Sequence, residues 1–277
     1  MIGTLYIVAT PLGNLQDMTL RAITTLKNVD TIFAEDTRHS LPLLQHFSIE
    51  KPLISLHEHN EEKRIPRLIE ELLQGKSIAL ISDAGTPLIS DPGFHLVKEA
   101  RNAGIQIVPI PGPCAAIAAL SVSGLPTDRF VFEGFLPNKS TARKERLSDL
   151  KNETRTLIFY EAPHRILDLL KDAEEIFGKD RTAVVAREIT KMFETIHGAT
   201  LAELLEWVKQ DKNRERGEMV LLVEGAKIAE KDFLEGERVL KILLEEIPLK
   251  QAVEITAKIT GERKNSLYQT ALLLKKF

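Results

Sequence analysis

Short apolar runs alternate with amphipathic segments along most of this chain. In roughly its first 225 residues the apolar runs are rich in valine, isoleucine and leucine, whereas the segments between them repeat apolar positions with a helical period. The pattern predicts a first series of strands at Thr4 to Ala9, Asp30 to Ala34, Leu53 to Leu56, Ser77 to Ile81 and Ile105 to Ile110. This alternation of strands and helices is typical of an α/β fold.

The segment Arg64 to Leu73 is one of the helical patterns between these strands. Its apolar side chains fall at positions 65, 68, 69, 72 and 73 and therefore share one face of a helix. Proline is tolerated in the first turn of a helix, where its missing N–H costs little. The pattern predicts a helix that carries Pro66 in its first turn.

A second series of strands follows an alanine-rich helix predicted at Ala115 to Ser123. Its strands are predicted at Arg129 to Gly134, Thr156 to Tyr160, Thr182 to Ala186 and Glu218 to Glu224. Beyond Gly225 only helical patterns remain, and the segment Gln251 to Ala271, with Gly261 at its turn, is typical of a helix-turn-helix. We therefore expect an N-terminal α/β domain over residues 1–113, a second α/β domain over 114–228 and a helical appendage over 229–277.

Composition narrows the class of protein. The chain has 277 residues, 43% of them hydrophobic and 28% charged, which suits a globular protein with more than one core. Its single cysteine, Cys114, cannot form an internal disulfide, and no apolar run approaches the roughly 20 residues that cross a bilayer. We expect a soluble, cytoplasmic protein. The net charge of −3 gives no overall attraction for nucleic acid, so such a partner needs a local basic surface.

Three loops rich in glycine and proline follow predicted strands, at Thr10 to Asp17, Ser82 to Gly93 and Pro111 to Cys114. Ligands of open α/β sheets collect at the carboxyl ends of strands, so these loops predict one composite binding site. None has the spacing of a Walker A or a dinucleotide-binding loop, which disfavours a nucleoside triphosphate or NAD. Carboxylates at Asp83 and Asp91 suit a cofactor with hydroxyl groups and a zwitterionic tail, such as S-adenosylmethionine.

Other polar groups allow different hypotheses. Histidines near loop signals raise the alternative of a metal, and in His57-Glu-His59 both rings would share one face if the segment were a strand. The absence of a cysteine cluster and of an H-E-x-x-H motif favours no metal. Acids and bases after a predicted strand, at Asp36, Arg38 and His39, are either part of the site or solvated surface. Basic clusters around Lys139, Arg143, Lys144 and, in the appendage, Lys264 are either solvated helix faces or phosphate contacts.

Longer stretches carry a family resemblance. The segments Leu5 to Ala22, Ala34 to His39, Leu80 to Gly93 and Pro111 to Ala116 closely resemble those of the RsmI-type 16S ribosomal RNA (cytidine-2′-O)-methyltransferases, a family of the tetrapyrrole-methylase superfamily. The second half agrees through Gly134-Phe-Leu-Pro137, Arg187-Glu-Ile-Thr-Lys191 and Gly217-Glu-Met-Val220, and the resemblance extends into the appendage.

The resemblance implies a tetrapyrrole-methylase fold of two α/β domains with S-adenosylmethionine in the cleft between them, usually as a homodimer. It also implies methyl transfer to the 2′-hydroxyl of a cytidine in the decoding centre of 16S rRNA in the small ribosomal subunit. The cofactor residues that carry over are Pro11, Leu12, Ser82, Asp83, Ala84, Gly85, Thr86, Cys114, Ala115, Tyr160, Glu161 and Met219.

For the chemistry we expect Asp36, with Arg38 and His39, to orient or deprotonate the 2′-hydroxyl beside Asn14 and Asp17. Lys139, Arg143, Lys144 and Lys264 are the expected RNA contacts. Two alternatives stay open: a methyltransferase of the same fold that acts on a small molecule such as a tetrapyrrole, and a non-catalytic protein that binds nucleic acid through its tail. The basic helical tail favours the RNA substrate over the small one, and cofactor binding separates the enzyme from the non-catalytic protein.

Overall fold

The computed structural model describes residues 2–227 and 231–274. For residues 231–235 it describes only the backbone. Contacts divide the chain into two compact units, one ending at Gly225 and the other beginning at Ala226. The predicted division at residue 113 stays a prediction, and the predicted boundary between residues 228 and 229 lies outside the described residues.

The first half of the larger unit is a parallel sheet with helices on both faces, which we call the N-lobe. The order of its strands across the sheet is β3-β2-β4-β1-β5. The strands are β1 (Thr4–Val8), β2 (Thr31–Ala34), β3 (Leu53–Ser55), β4 (Ile78–Ile81) and β5 (Gln106–Ile110). The helices are α1 (Leu20–Asn28), α2 (Thr37–His46), α3 (Glu58–Leu73) and α4 (Phe94–Asn102). β2 and β4 are buried along their whole length, as the continuous apolar runs of a doubly covered parallel sheet require.

The second half, the C-lobe, is a mixed sheet in the order β6-β7-β10-β8-β9. Only β6 and β7 are parallel; the other neighbours are antiparallel. The strands are β6 (Phe130–Phe135), β7 (Thr156–Glu161), β8 (Thr182–Arg187), β9 (Thr195–Thr200) and β10 (Met219–Val223). The helices are α5 (Ala115–Val122), α6 (Ser140–Asp149), α7 (Ile166–Phe177) and α8 (Leu201–Lys209). α5 covers one face of this sheet through Ala116, Ala119 and Leu120, and α6 to α8 cover the other.

The smaller unit contains α9 (Lys231–Glu246), α10 (Leu249–Thr260) and α11 (Lys264–Leu274). These helices bury a core of their own around Leu240, Val253 and Leu267. Gly261 ends α10 in a left-handed conformation, at a φ of 76°, and turns the chain into α11. None of the helices in the described part of the chain has the length and apolar composition that crossing a bilayer requires.

The structure confirms all nine predicted strands, each within one residue of its predicted ends, and corrects two other expectations. β9 was not among the predicted strands, because its half-exposed sequence, with a glycine and a histidine, has no apolar run. The helix predicted from Arg64 begins earlier, at Glu58, since Asn60 and His57 form a capping box there. Pro66 therefore lies inside α3 rather than in its first turn.

Candidate active site between the two lobes

The loops that follow β1 and β4 meet at the carboxyl edge of the N-lobe sheet, because these strands are neighbours at its centre. Thr10 and Gly85 form a two-way bridge: the Thr10 N–H donates to the Gly85 carbonyl at 2.8 Å, and the Gly85 N–H returns a bond of 3.0 Å. The Thr10 hydroxyl also donates to the Ser82 carbonyl at 3.1 Å. Gly85 has a φ of 84°, which a side chain would disfavour, and a Cβ there would lie 3.2 Å from the Leu12 side chain.

One further contact ties these N-lobe loops to the segment that leads into α5, and another ties α5 to β7. The Thr86 hydroxyl donates to the Pro113 carbonyl at 2.9 Å, just before α5 begins. The Ala116 N–H, in the first turn of α5, donates to the Tyr160 hydroxyl at 3.0 Å. Tyr160 lies near the end of β7 and packs edge-on against Phe135. The loops of both sheets therefore enclose one space between the lobes.

That space is a cavity of about 380 Å³, a size typical of small-molecule sites. Of the twelve predicted cofactor residues, ten line it: Leu12, Asp83, Ala84, Gly85, Thr86, Cys114, Ala115, Tyr160, Glu161 and Met219. The other two, Pro11 and Ser82, are buried and do not line the cavity. The Ser82 hydroxyl donates to the Gly85 carbonyl at 3.2 Å and so stabilises the loop.

Asp91, which the sequence analysis named with Asp83 as a carboxylate that suits the cofactor, also lines the cavity. The lining residues that the sequence did not single out are Ile89, Ser90, Phe135, Ala162, Pro163, Ile189, Glu218 and Val220. Ala162, Glu218 and Val220 are chain neighbours of predicted residues, so adjacency could have found them. Phe135 and Ile189 lie at or just after the carboxyl ends of β6 and β8. The expectation that ligands collect at the carboxyl ends of strands, applied above to the N-lobe, would have included them.

Carboxylates dominate the charge of the cavity. Asp83, Asp91, Glu161 and Glu218 line it, and no lysine or arginine appears among the described lining residues. The Glu161 side chain is fully buried; its Oε1 accepts from the Ala162 N–H at 2.8 Å and lies 3.1 Å from Arg165 Nε, whereas its Oε2 has no hydrogen-bond partner among the described residues. Burial raises the pKa of Glu161 despite these contacts. The cavity favours a cationic ligand.

Among the carboxyl groups that line the cavity, Asp91 has a pKa shifted far from its ordinary value. Burial, followed by the nearby Glu35 carboxylate, raises the pKa of Asp91 to about 7, although the neighbouring Ser82 hydroxyl acts in the opposite direction. The pKa of Glu35 is raised as well, first by burial and then by Asp83. An acid of this pKa exchanges a proton readily near neutral pH.

The structure places the five predicted catalytic residues outside the cavity lining. Asp36 caps α2 and accepts from the Arg38 backbone at 2.8 Å and from its guanidinium at 2.6 Å. These hydrogen bonds hold the pKa of Asp36 well below its usual range, so this carboxylate is a poor proton acceptor. His39 Nδ1 lies 3.9 Å from the Asp83 carboxylate. Asn14 and Asp17 belong to a 3₁₀ helix after β1, which Asn14 caps by accepting from the Gln16 N–H.

The four predicted RNA contacts have different surroundings. Arg143 is buried and donates to Asp172 at 2.7 Å, which contradicts its expected contact with RNA, because the side chain is committed to the C-lobe core. Lys144 is half-buried and bonds to Glu175 at 2.6 Å. Lys139 is exposed at the N-terminus of α6, and the exposed Lys264 in α11 lies 3.5 Å from Glu254.

The histidines do not assemble into a metal site in the described part of the chain, where no group of three or more potential ligands meets. His57 and His59 are not on a strand, contrary to the arrangement considered for them, because His57 is the N-cap of α3. Their rings instead pack edge to face with centroids 6.0 Å apart.

Fold and cavity together define a class of protein: two α/β lobes, one with a parallel and one with a mixed sheet, and a cavity between them. Solved structures share this fold. A diphthine synthase superposes with a TM-score of 0.63 at 17% identity, covering 84% of this chain and 94% of that one. A uroporphyrin-III-C-methyltransferase from Thermus thermophilus gives 0.58 at 20% identity, over 80% and 94%.

Sequence comparison defines the family. The family model of the Tetrapyrrole (Corrin/Porphyrin) Methylases matches residues 4–205, and that of the RsmI C-terminal HTH domain matches residues 230–275. Proteins named Ribosomal RNA small subunit methyltransferase I are similar over nearly their whole length: that of Pseudomonas aeruginosa is 57% identical, over 98% of this chain and 97% of its own, and that of Escherichia coli O157:H7 is 56% identical, over 98% and 95%. The chain belongs to the tetrapyrrole methylases and, within them, to the family of these small-subunit methyltransferases. The expected fold and family are thereby confirmed.

Proposed function

We propose that the protein uses S-adenosylmethionine to methylate the 2′-hydroxyl of a cytidine in the decoding centre of 16S rRNA, in the small ribosomal subunit. The observation that carries this proposal is the full-length similarity, at 57% identity, to a relative named for methylation of small-subunit ribosomal RNA. The residues of the cavity provide independent support for the methyl donor.

The residues present fit this donor, which carries a sulfonium, an ammonium and no phosphate. Four carboxylates line the cavity without a described lysine or arginine, which suits cations and disfavours phosphates. The buried Glu161 carboxylate has an oxygen free to accept a further hydrogen bond. Gly85 leaves open the space that a Cβ would fill beside Leu12. We assign donor binding to the loop Asp83 to Thr86, together with these residues, Tyr160 and Met219.

When bound, the donor supplies an electrophilic methyl carbon, so the protein needs mainly to position the accepting hydroxyl and remove its proton. Positioning alone can lower such a barrier by roughly 7–11 kcal/mol. The hydrogen bonds between Thr10 and Gly85 and between Thr86 and Pro113 fix the positions of the loops that line the cavity. Fixed loops support the proposal that these loops align the donor with the accepting hydroxyl.

RNA recognition needs positive charge that the cavity lacks. Lys139 on the C-lobe and Lys264 in the helical unit are exposed and remain our candidates for phosphate contacts. The helical unit supports the same substrate, since its family model is described as a helix-turn-helix domain. A small tetrapyrrole-like substrate would not require it. Because the proposed substrate is the ribosomal subunit, we also propose that the protein acts in the cytoplasm.

We extend the proposal to a homodimer. Apart from Ser121, α5 consists of apolar residues, yet the side chains of Ile117 and Val122 are about half exposed. An apolar face of this kind is typical of a contact between subunits. Light scattering coupled to size-exclusion chromatography would give twice the chain mass of 31.1 kDa if the proposal holds, and that mass itself if it does not.

The function is tested by incubating small ribosomal subunits that lack the modification with purified protein and isotope-labelled S-adenosylmethionine. Mass-spectrometric mapping of the rRNA should find the label on the ribose of one cytidine. A label on a base or on another nucleotide would overturn the assigned position. No transfer to RNA, with retained donor binding, would favour the small-molecule alternative, whereas no donor binding would exclude both enzymes.

A further inference from the structure

The connection between β8 and β9 begins in the wall of the cavity. Strands β6, β7 and β8 run in the same direction, so their carboxyl ends meet at one edge of the C-lobe sheet. After β8 the chain forms a loop over residues 188–194, which we call the β8–β9 loop, before β9 begins. Ile189, near the start of this loop, lines the cavity. The rest of the loop therefore lies beside the cavity.

The β8–β9 loop is held in its conformation by its own hydrogen bonds. Glu188 and Thr190, which are not glycines, have left-handed φ angles of 53° and 69°. Such angles persist where the surrounding structure enforces them, and they concentrate at functional sites. The Thr190 N–H donates to the Glu194 side chain at 2.6 Å, and the Lys191 N–H donates to the Glu188 carbonyl at 3.0 Å. The loop is therefore preorganised.

Lys191 connects the β8–β9 loop to both lobes. Its ammonium donates to Glu188 at 2.9 Å and to Glu218, a residue of the cavity wall, at 3.1 Å. Its aliphatic stem lies against Gly13 in the N-lobe loop after β1, where a Cβ would collide with it. These contacts fix the loop across the boundary between the lobes, next to the cavity.

The tip of this loop presents two large apolar side chains to solvent. The side chain of Met192 is 91% exposed and that of Phe193 is 67% exposed. Phe193 follows Ile189 by four positions, so its Cα lies within about 14 Å of the Cα of that cavity residue. Neighbouring apolar side chains that stay exposed on a surface mark contact sites. A preorganised loop that keeps both of them in water indicates a binding surface beside the cavity.

The size and place of the tip favour a nucleic-acid base over a protein as its partner. One aromatic side chain buries about 150–250 Å², whereas a stable protein interface takes roughly 800 Å² from each partner. Bases of single-stranded RNA stack on aromatic side chains. Arg187 donates to the Arg216 carbonyl at 3.3 Å, and the exposed Arg216 side chain adds positive charge at the same edge of the sheet. Such charge suits the phosphates of an RNA strand.

We propose that the tip of the β8–β9 loop is a stacking surface for the RNA substrate, where the Phe193 ring packs against a base at the mouth of the cavity. This inference rests on the proposed function, which brings a ribose to the cavity, and a ribose carries its base on the carbon next to the one that bears the 2′-hydroxyl. Met192 extends the apolar surface, and Lys191 holds the tip in place. Stacking uses the face of a base, so this contact positions the RNA without reading its sequence.

The first test is Phe193→Ala, which removes an exposed ring. Loss of one base stack weakens binding about 5- to 150-fold, so KM for small ribosomal subunits should rise by a factor in that range. Both kcat and the calorimetric affinity for S-adenosylmethionine should stay close to the wild-type values. Phe193→Trp keeps an aromatic face and should retain the wild-type KM. Phe130→Ala is the matched control, because Phe130 is partly exposed at the amino end of β6, away from the cavity.

A second test identifies the partner of the tip directly. Phe193→p-azidophenylalanine, illuminated on small ribosomal subunits, should crosslink to 16S rRNA, and reverse transcription should stop near the methylated cytidine. The same replacement at Phe130 should give no stop there. Because stacking releases no counterions, the slope of log affinity against log salt should be the same in Phe193→Ala and in the wild type.

The outcomes separate this inference from the proposed function. A wild type that methylates the cytidine, with an unchanged KM for subunits in Phe193→Ala, would overturn the role of the tip alone. Crosslinks from position 193 that reach only a ribosomal protein or a second copy of the chain, or no crosslink to rRNA, would do the same. A wild type that does not methylate RNA would overturn the proposed function and this inference with it.

Discussion

Gly134 in the C-lobe lies directly against Ser90 in the N-lobe: a Cβ built on Gly134 would stand 2.9 Å from the Ser90 hydroxyl oxygen. Gly134 also has a φ of 64° and follows an irregularity in the pairing of β6 with β7. The kink in one sheet thus makes room for the loop of the other, next to Asp91. Because Ser90 lines the cavity, a side chain at position 134 would press on the cavity wall.

Replacing Gly134 with alanine should therefore affect the cavity. The left-handed φ costs a non-glycine residue about 1–2 kcal/mol, and the clash additionally displaces Ser90 and its loop. We expect Gly134→Ala to lower the thermal midpoint and to weaken S-adenosylmethionine binding about tenfold, measured by calorimetry. Gly104→Ala is the control, since Gly104 has a φ of 70° but no atom near its Cβ position. It should lose stability and keep donor affinity; equal affinities in the two variants would argue against the contact.

Glu161 should contribute to the preference for a cation. Glu161→Gln removes the buried negative charge beside the cavity while keeping an oxygen that can accept. We expect a 10- to 100-fold loss in affinity for S-adenosylmethionine, because an interaction with a buried charge is worth about 1.5–3 kcal/mol. Glu153→Gln, which removes a carboxylate paired with Arg155 away from the cavity, is the control. Unchanged binding in Glu161→Gln would show that this carboxylate does not face the ligand's positive charge.

Asp91 should make the stability of the protein depend on pH. Its folded-state pKa, about 7, lies above its ordinary value of 3.8, so its contribution to stability is full below pH 3.8 and is lost as the pH rises through 7. The Asp91→Asn protein lacks this loss. We expect urea denaturation to show the variant gaining stability relative to the wild type between pH 5 and pH 8. A constant difference over that range would mean that the Asp91 pKa is ordinary.

Lys139 and Arg143 lie four positions apart at the N-terminal end of α6, one exposed and the other buried, and should behave oppositely. Arg143→Met removes the buried guanidinium from Asp172 and leaves this carboxylate with Ser140 and the more distant Lys144, which should cost about 3 kcal/mol in the free energy of unfolding. Lys139→Ala should leave stability unchanged, weaken RNA binding and reduce the slope of log affinity against log salt by about 0.7–0.9. Denaturation and filter binding at several salt concentrations measure the two effects. A salt slope unchanged in Lys139→Ala would remove that lysine from the RNA surface.

Strand positions were predictable because buried parallel strands such as β4 are short, apolar and bounded by turns, a signal that one sequence carries. The partners of individual side chains could not be predicted from the sequence. Arg143 has the same sequence surroundings as a solvated basic helix, and only the packing of α6 on α7 reveals that Asp172 is its partner. The cofactor loops were visible as glycine and proline clusters, whereas the proximity of Asp91 to Tyr160 depends on how two sheets meet. Periodicity along the chain carries no information about that distance.

The central claim is that the acidic space between the lobes holds a phosphate-free, cationic methyl donor. The most direct measurement is calorimetric titration of the wild type and of Gly85→Val with S-adenosylmethionine, since a side chain at Gly85 would meet Leu12 within the cavity lining. The account predicts one donor per wild-type chain and at least a tenfold weaker affinity in a folded Gly85→Val. Absence of binding to the wild type, or equal affinity in the two proteins, would contradict it.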